Sequence, residues 1–222
     1  PKENIEVFDS PDKGFRRRAE FRIFHHGEEG ISFAMGGLEQ KIVPIEECNI
    51  VAPVIKRVLK ELPLLLKGIA KDRLYSSEFL SSVSGECVVT LIYRKAIDDA
   101  LIGELASIAK RLGLNIVCRS KGKKIVIGDE RLVEEAAGFS TFLREGAFSQ
   151  PNLYINQKMV SWVADNIESN GDILELYCGN GNFTFALSKK CGKLLATEVS
   201  KSAIKDAQDA RGINGIDNIE FV

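Results

Sequence analysis

Ile173-Leu-Glu-Leu-Tyr-Cys-Gly-Asn-Gly-Asn-Phe183 decides the fold: an apolar strand runs into a glycine loop and then into a helical pattern. Gly179 and Gly181 let the backbone turn sharply and approach a ligand at the carboxyl end of that strand. Nineteen residues after Gly179, a second apolar run ends at Glu198. An acidic residue there is placed to accept hydrogen bonds from both ribose hydroxyls of an adenosine. The dinucleotide fingerprint requires a third glycine, for close helix–strand packing, where this chain has Thr184. Glu175 and Asn182 add polar groups around the loop, which suits a cationic, phosphate-free ligand better than a pyrophosphate. S-adenosylmethionine is such a ligand, and a nicotinamide oxidoreductase is the reading that Thr184 argues against.

Outward from the loop the pattern is strict α/β alternation. A helix is expected over 154–168, with Ile155, Met159, Trp162, Val163 and Ile167 inward. A strand follows at 173–177, then a helix at 183–188, a strand at 193–198, a helix at 201–212 and a strand at 218–222. This is the opening β-α-β-α-β of a doubly wound sheet. Upstream the chain reads as mixed and mostly antiparallel. Residues 15–24 alternate, with Phe15, Ala19, Phe21 and Ile23 on one side and Arg16, Arg18, Glu20 and Arg22 on the other. Short strands are expected at 31–35 and 41–44, then a helix over 54–69 that Pro63 should kink or split. A hairpin pairs 75–83 with 86–93, and Ile97, Leu101, Leu105, Ile108 and Leu112 mark a helix ended by Gly113. Strands at 114–118 and 124–127 flank the turn Ser120-Lys121-Gly122-Lys123. The fold class is therefore α/β, with an N-terminal α+β domain over 1–138, a connecting segment over 139–152 and a partial Rossmann-like domain over 153–222.

Composition narrows the function classes. The 222 residues are 45% hydrophobic, and the net charge of -1 excludes a uniformly basic coat, so any nucleic-acid contact must come from local patches. Two patches qualify. One is the row Arg16, Arg18 and Arg22, partly offset by Glu20; the other lies between Lys110 and Lys124, where six basic and no acidic residues occur. A turn carrying Lys121, Lys123 and Lys124 can hold phosphate by charge without reading sequence. An ordinary solvated face is the competing account of each. The five cysteines form no C-x-x-C, and His25 and His26 sit together before Gly27, so neither a metal nor an iron–sulfur cluster is expected. Free thiols in a reducing cytoplasm are the plain reading. Cys178 reads as a small inert thiol rather than a nucleophile, Trp162 as core, and Asn180 or Asn182 as a possible cap for the next helix. No run of about 18 apolar residues appears, so no membrane span is expected.

Four motifs in register resemble the tRNA (uracil-5-)-methyltransferase family. They are Glu175-Leu-Tyr-Cys-Gly-Asn-Gly-Asn-Phe183, Leu195-Ala-Thr-Glu198, Phe148-Ser-Gln-Pro-Asn152 and Arg18-Ala-Glu-Phe-Arg-Ile23. The resemblance runs from Ser10-Pro11 to residues 210–218 and is strongest to the branch that makes 5-methyluridine in the T-loop of tRNA. It implies an RNA-recognition front domain and S-adenosylmethionine contacts at Gln150, Tyr177, Asn182 and Glu198, beside Gly179 and Gly181. It also implies that Phe148 lies near the extruded uridine and that Tyr75 packs against the T-loop.

The family mechanism is covalent. A cysteine thiolate adds to uracil C6, C5 takes the methyl group, and a glutamate removes the C5 proton. That cysteine sits in Ser-Cys-Asn-Pro after an Asp-Pro-Pro-Arg strand end, and neither string occurs in these 222 residues. The chain opens at Pro1 and stops at Val222 inside a predicted strand. The expectation is a C-terminally truncated enzyme, inactive alone, with an unpaired strand edge open to pairing, whereas the full protein is expected to be monomeric and cytoplasmic. The same chemistry on ribosomal RNA, and a non-catalytic RNA-binding protein, remain alternatives.

Overall fold

The computed structural model describes residues 5–37, 41–69, 74–94, 96–168 and 171–222. The chain forms two compact units, Arg16–Leu132 and a second made of Pro1–Phe15 with Val133–Val222. The sequence expectation has 1–138 as the first domain and 139–152 as a connector, whereas this division puts 1–15 and 133–152 with the second unit.

The first unit is a seven-stranded sheet with helices on one face. Its elements are β1 (Arg18–His25), β2 (Ile31–Gly36), β3 (Ile42–Pro44), α1 (Pro53–Leu66), β4 (Leu74–Ser81), β5 (Cys87–Tyr93), α2 (Asp99–Leu112), β6 (Asn115–Ser120) and β7 (Lys123–Ile127). The strand order is β3-β2-β1-β4-β5-β6-β7, antiparallel except for the β5–β6 pair that α2 connects. Phe21, Ile23, Phe33, Phe79, Val89, Leu91, Ile116 and Cys118 share the core with the apolar stripes of α1 and α2. The alternation in β1 holds with one addition: Arg17, just before the strand, is 3% exposed, while Arg16 and Arg22 are exposed.

Pro63 neither splits α1 nor ends it; the helix continues to Leu66. An interior proline costs about 3 kcal/mol. Burial of Ile55, Val58, Leu59, Leu62 and Leu66 outweighs that cost, at roughly 1.5–3 kcal/mol per side chain. The helix α2 is bounded as its sequence specifies. The Asp98 carboxylate accepts from the Leu101 amide at 2.9 Å, and Gly113 closes the helix at φ 64°.

A hairpin that the sequence reading missed leads into the second unit. β8 (Arg131–Ala136) pairs with β9 (Phe139–Arg144) through Ala137 and Gly138, at φ 51° and 80°. Two left-handed residues suit the tight turns that join twisted strands. Residues 139–144 are therefore a strand, not part of a bare connector. There follow α3 (Leu153–Asn166), β10 (Ile173–Leu176), α4 (Thr184–Ser188), β11 (Leu194–Thr197), α5 (Lys201–Asn214) and β12 (Ile219–Phe221). The strands β10-β11-β12 form a parallel sheet, with Ile173 opposite Leu194 and Leu194 opposite Ile219. Phe139, Phe142, Phe185, Leu194, Ala196, Ala210 and Ile219 make the core. β10 lies at the edge of that sheet with Leu174 and Leu176 exposed.

The inward stripe of α3 also differs from the expected one. Asn156 and Val160 are its buried residues, with Val163 and Ile167 packed behind them, while Met159 and Trp162 are exposed. Trp162 is not core: its indole N–H donates to Glu6 Oε2 at 2.8 Å. The true stripe begins one residue later, on a polar side chain that a hydrophobic count passes over.

Candidate ligand-binding site

Parallel strands end together, so the glycine loop after β10 and the acidic end of β11 meet at one edge of the sheet. Tyr177 takes a left-handed conformation at φ 59° and leaves its ring 85% exposed. The Cys178 amide then donates to the Thr197 carbonyl at 3.0 Å, and the Gly181 amide donates to the Cys178 carbonyl at 3.0 Å. At Gly181 both space and conformation demand glycine, because φ is 88° and an added Cβ would lie 2.7 Å from the Phe185 ring.

Glu198 straps this corner. Its Oε2 accepts from the Gly179 amide at 3.1 Å, and its Oε1 accepts from the Ser200 amide at 2.9 Å. Each carboxylate oxygen has two lone pairs, so each keeps one for a ligand hydroxyl. The two backbone bonds hold the carboxylate in place before any ligand arrives.

Below the loop, Glu175 Oε2 is buried with no hydrogen-bond partner among the described residues. Burial pushes the Glu175 carboxyl above the usual range, with the nearby Thr184 hydroxyl working against it. A buried carboxylate with only a hydroxyl beside it is costly, and a ligand ammonium would supply both charge and donors.

Asn182 does not cap α4; its amide forms a reciprocal pair with Asn156 of α3, both bonds at 2.9 Å. Asn180 does not cap it either, donating instead to the Phe142 carbonyl at 2.5 Å. The N-cap of α4 is Phe183, which makes no side-chain cap bond. Asn156 thus fixes the orientation of an amide on the glycine loop.

The stretch 148–152 leads into α3. Asn152 caps that helix by accepting from the Ile155 amide at 3.1 Å, and its own amide donates to Ser10 Oγ. Within the stretch Phe148 is 77% exposed and Gln150 half-buried. The loop and Glu198 are therefore joined directly, and the segment carrying Phe148 and Gln150 is tied to the loop through α3 and Asn156.

Cys178 is 5% exposed, and burial, with Glu175 and Glu198 adding repulsion, pushes its thiol up to about 12. The thiolate is the reactive form, so this cysteine is inert near neutral pH. In native protein at pH 8, iodoacetamide is expected to modify half-exposed Cys48 first. Cys87, Cys118 and Cys178 should react only after unfolding. Mass spectrometry finding Cys178 alkylated in the folded protein at a rate near that of Cys48 would contradict this.

The remaining sequence-derived candidates sit on the first unit. Arg18 and Arg22 lie on the face of β1 away from the helices, and Arg16 precedes the strand, its Nε donating to the Arg18 carbonyl at 2.9 Å. Tyr75 stands at a bulge in β4, with the Arg94 guanidinium 4.4 Å from its ring centre. Lys121, Lys123 and Lys124 occupy the β6–β7 turn and the start of β7, and Lys124 is ion-paired with Glu130, a carboxylate outside the basic stretch. Among the described residues no group of three or more His, Cys, Asp or Glu could hold a metal ion, and no helix is long and apolar enough to cross a membrane.

A parallel β-α-β-α-β unit with a glycine loop after its first strand, and an acid closing the second, defines a Rossmann-like domain. The chain belongs to the tRNA (uracil-5-)-methyltransferase family, whose profile matches residues 1–222. It is 45% identical over 227 residues to a tRNA/tmRNA (uracil-C(5))-methyltransferase of a Nitratiruptor species, covering 98% of this chain and 61% of the relative. A protein of the same name from Pseudomonas putida is 39% identical over 224 residues, covering 97% of this chain and 62% of the relative. The chain thus spans about three fifths of the length of the curated relatives it matches. Among solved structures, Pyrococcus abyssi tRNA (uracil-54, C5)-methyltransferase in complex with S-adenosyl-L-homocysteine superposes with a TM-score of 0.71 at 18% identity. That match covers 95% of this chain and 56% of the other, and it establishes the shared fold.

Proposed function

We propose that this chain carries the S-adenosylmethionine site and RNA-binding surface of an enzyme that methylates uracil C5 in RNA, with the T-arm of tRNA as substrate. The observation that carries the cofactor reading is the buried carboxyl of Glu175 beneath a glycine loop strapped by Glu198. The bound cofactor supplies the electrophilic methyl group. Glu198 receives the ribose hydroxyls, Glu175 receives the ammonium, and Gly179 and Gly181 admit the ligand close to the backbone. Gln150, Tyr177 and Asn182 complete the cofactor contacts, while Phe148 stacks on RNA next to the target base, which must leave its stack to react. Arg16, Arg18, Arg22, Tyr75, Lys121, Lys123 and Lys124 hold the RNA. Family membership and the names of the relatives support the RNA and the reaction, and the cytoplasm, where tRNA is made and modified, is the compartment this implies.

Isothermal titration with S-adenosylhomocysteine and, separately, NAD tests the cofactor reading. Binding of the first and not the second is expected. Affinity should also weaken as pH falls through the raised range of the Glu175 carboxyl, because the ammonium needs the ionised form. Binding of NAD alone, or no pH dependence between pH 4 and 8, would overturn the assignment.

A further inference from the structure

Beyond the cofactor corner, the first unit has a cleft of about 340 Å³ where β5 ends beside the β6–β7 turn, lined by Ile92, Arg119, Lys121, Gly122, Lys123 and Lys124 among others. Four of these side chains are cations. Lys124 is partly neutralised by Glu130 and Arg119 has an interaction of its own, so the charge rests mainly on Lys121 and Lys123, both exposed. The turn is tight, with Lys121 at φ 33° and Gly122 at φ 79°, and an added Cβ on Gly122 would meet nothing within 4 Å. A ligand can therefore approach the turn backbone between the two lysines.

The strand registers tie this cleft to the arginine strand. Arg22 lies opposite Ser76, Ser76 opposite Ile92, Ile92 opposite Arg119, and Arg119 opposite Lys124. Directly opposed residues point to the same face of a sheet, so Arg22, Arg119 and Lys124 stand in one row across five strands. With neighbouring strands about 4.8 Å apart, the backbones of Arg22 and Arg119 are separated by about 14 Å. A single phosphate cannot serve both; a polymer of phosphates can. The exposed Tyr75 ring, covered on one side by Arg94, adds an aromatic plate on the intervening strand β4. A cationic row with an exposed aromatic is the chemistry that grips folded RNA, rather than an acidic peptide.

We propose that Arg119, Lys121 and Lys123 form a phosphodiester-binding cleft, so that the sheet holds an RNA backbone at two separated places, one at Arg22 and one here. The proposal rests on the RNA-binding reading above and adds Arg119 and the cleft to it. It predicts a two-point grip whose far point is removed without touching the cofactor corner.

The test uses the 222-residue chain and three variants: Arg119→Gln, Lys121→Gln with Lys123→Gln, and Lys110→Gln on α2 as a charge control. Fluorescence anisotropy with a labelled T-arm hairpin RNA is read across a potassium chloride series, with S-adenosylhomocysteine affinity measured alongside. The lysine pair variant should bind RNA about tenfold more weakly at low salt. Its slope of log K against log salt should fall by about 1.5, since each lost phosphate contact removes about 0.7–0.9. Arg119→Gln should lower the slope by about 0.8, and Lys110→Gln should leave it unchanged. Unchanged slopes in the cleft variants, or an equal loss in Lys110→Gln, would overturn the cleft. Failure of the unsubstituted chain to bind the hairpin at all would instead strike the RNA reading itself, and the cleft with it.

Discussion

Replacing Asp206 with alanine is expected to remove about 3–5 kcal/mol of unfolding free energy, the usual cost of stripping one partner from a buried ion pair. Arg144 grips Asp206 with two bonds, Nε to Oδ2 at 2.7 Å and a terminal nitrogen to Oδ1 at 2.6 Å. The side chains are 17% and 2% exposed, so water can only partly take over when one partner is lost. The pair joins β9 to α5, whose other attachments include Asn214, which exchanges hydrogen bonds with the backbone of Ser140 at 3.0 and 2.7 Å. Asp206→Ala leaves the half-buried Arg144 guanidinium without this carboxylate. Asp206→Asn should cost less, because the amide oxygen still accepts one bond. Replacing both residues with leucine should be milder than Asp206→Ala, since no charge is then stranded. Urea unfolding followed by circular dichroism is the measurement, and a loss below about 1 kcal/mol for Asp206→Ala would mean that the pair behaves as a screened surface contact.

What could be read in advance divides by range. The meeting of the glycine loop with Glu198 was legible because a strand–loop–helix–strand unit sets both at fixed local offsets, and parallel pairing then brings Gly179 onto the Glu198 carboxylate. α2 was legible for the same reason, with its cap, stripe and terminating glycine all within one window. Asn156 was not, because its meaning comes from an amide 26 residues further along the chain, and a hydrophobic count treats it as an interruption. That same interruption rotated the inferred face of α3 and put Trp162 inside. The β8–β9 hairpin was missed because Val133-Glu-Glu-Ala136 carries no strand alternation that a reader would trust: Glu134 is buried at 2% exposure while Val133 is 43% exposed. Tertiary surroundings there override the residue pattern. Pro63 is the same lesson in a helix, where five buried side chains hold a conformation that local preference opposes. The row from Arg22 to Lys124 depends on strand order, which no local reading supplies.

Glu198→Ala is expected to weaken S-adenosylhomocysteine binding by about 100-fold or more. Two hydrogen bonds from ribose hydroxyls to a charged acceptor contribute roughly 1.5–3 kcal/mol each, and each 1.4 kcal/mol is a factor of ten. A loss of affinity alone does not separate ribose recognition from loop support, since the same carboxylate also holds the Gly179 and Ser200 amides. The sugar itself makes the distinction. Removing the 2′-hydroxyl from the ligand should weaken binding to the unsubstituted protein about tenfold, the worth of one such bond. In Glu198→Ala the deoxy ligand and its parent should bind alike, because the acceptor that told them apart is gone. Glu198→Gln, which keeps one carbonyl acceptor, should fall between. The coupling between the two removals is the quantity that isolates the contact. A variant that binds weakly yet still discriminates tenfold against the deoxy ligand would show that Glu198 only braces the loop. The ribose acceptor would then have to be sought elsewhere at the carboxyl edge of this sheet.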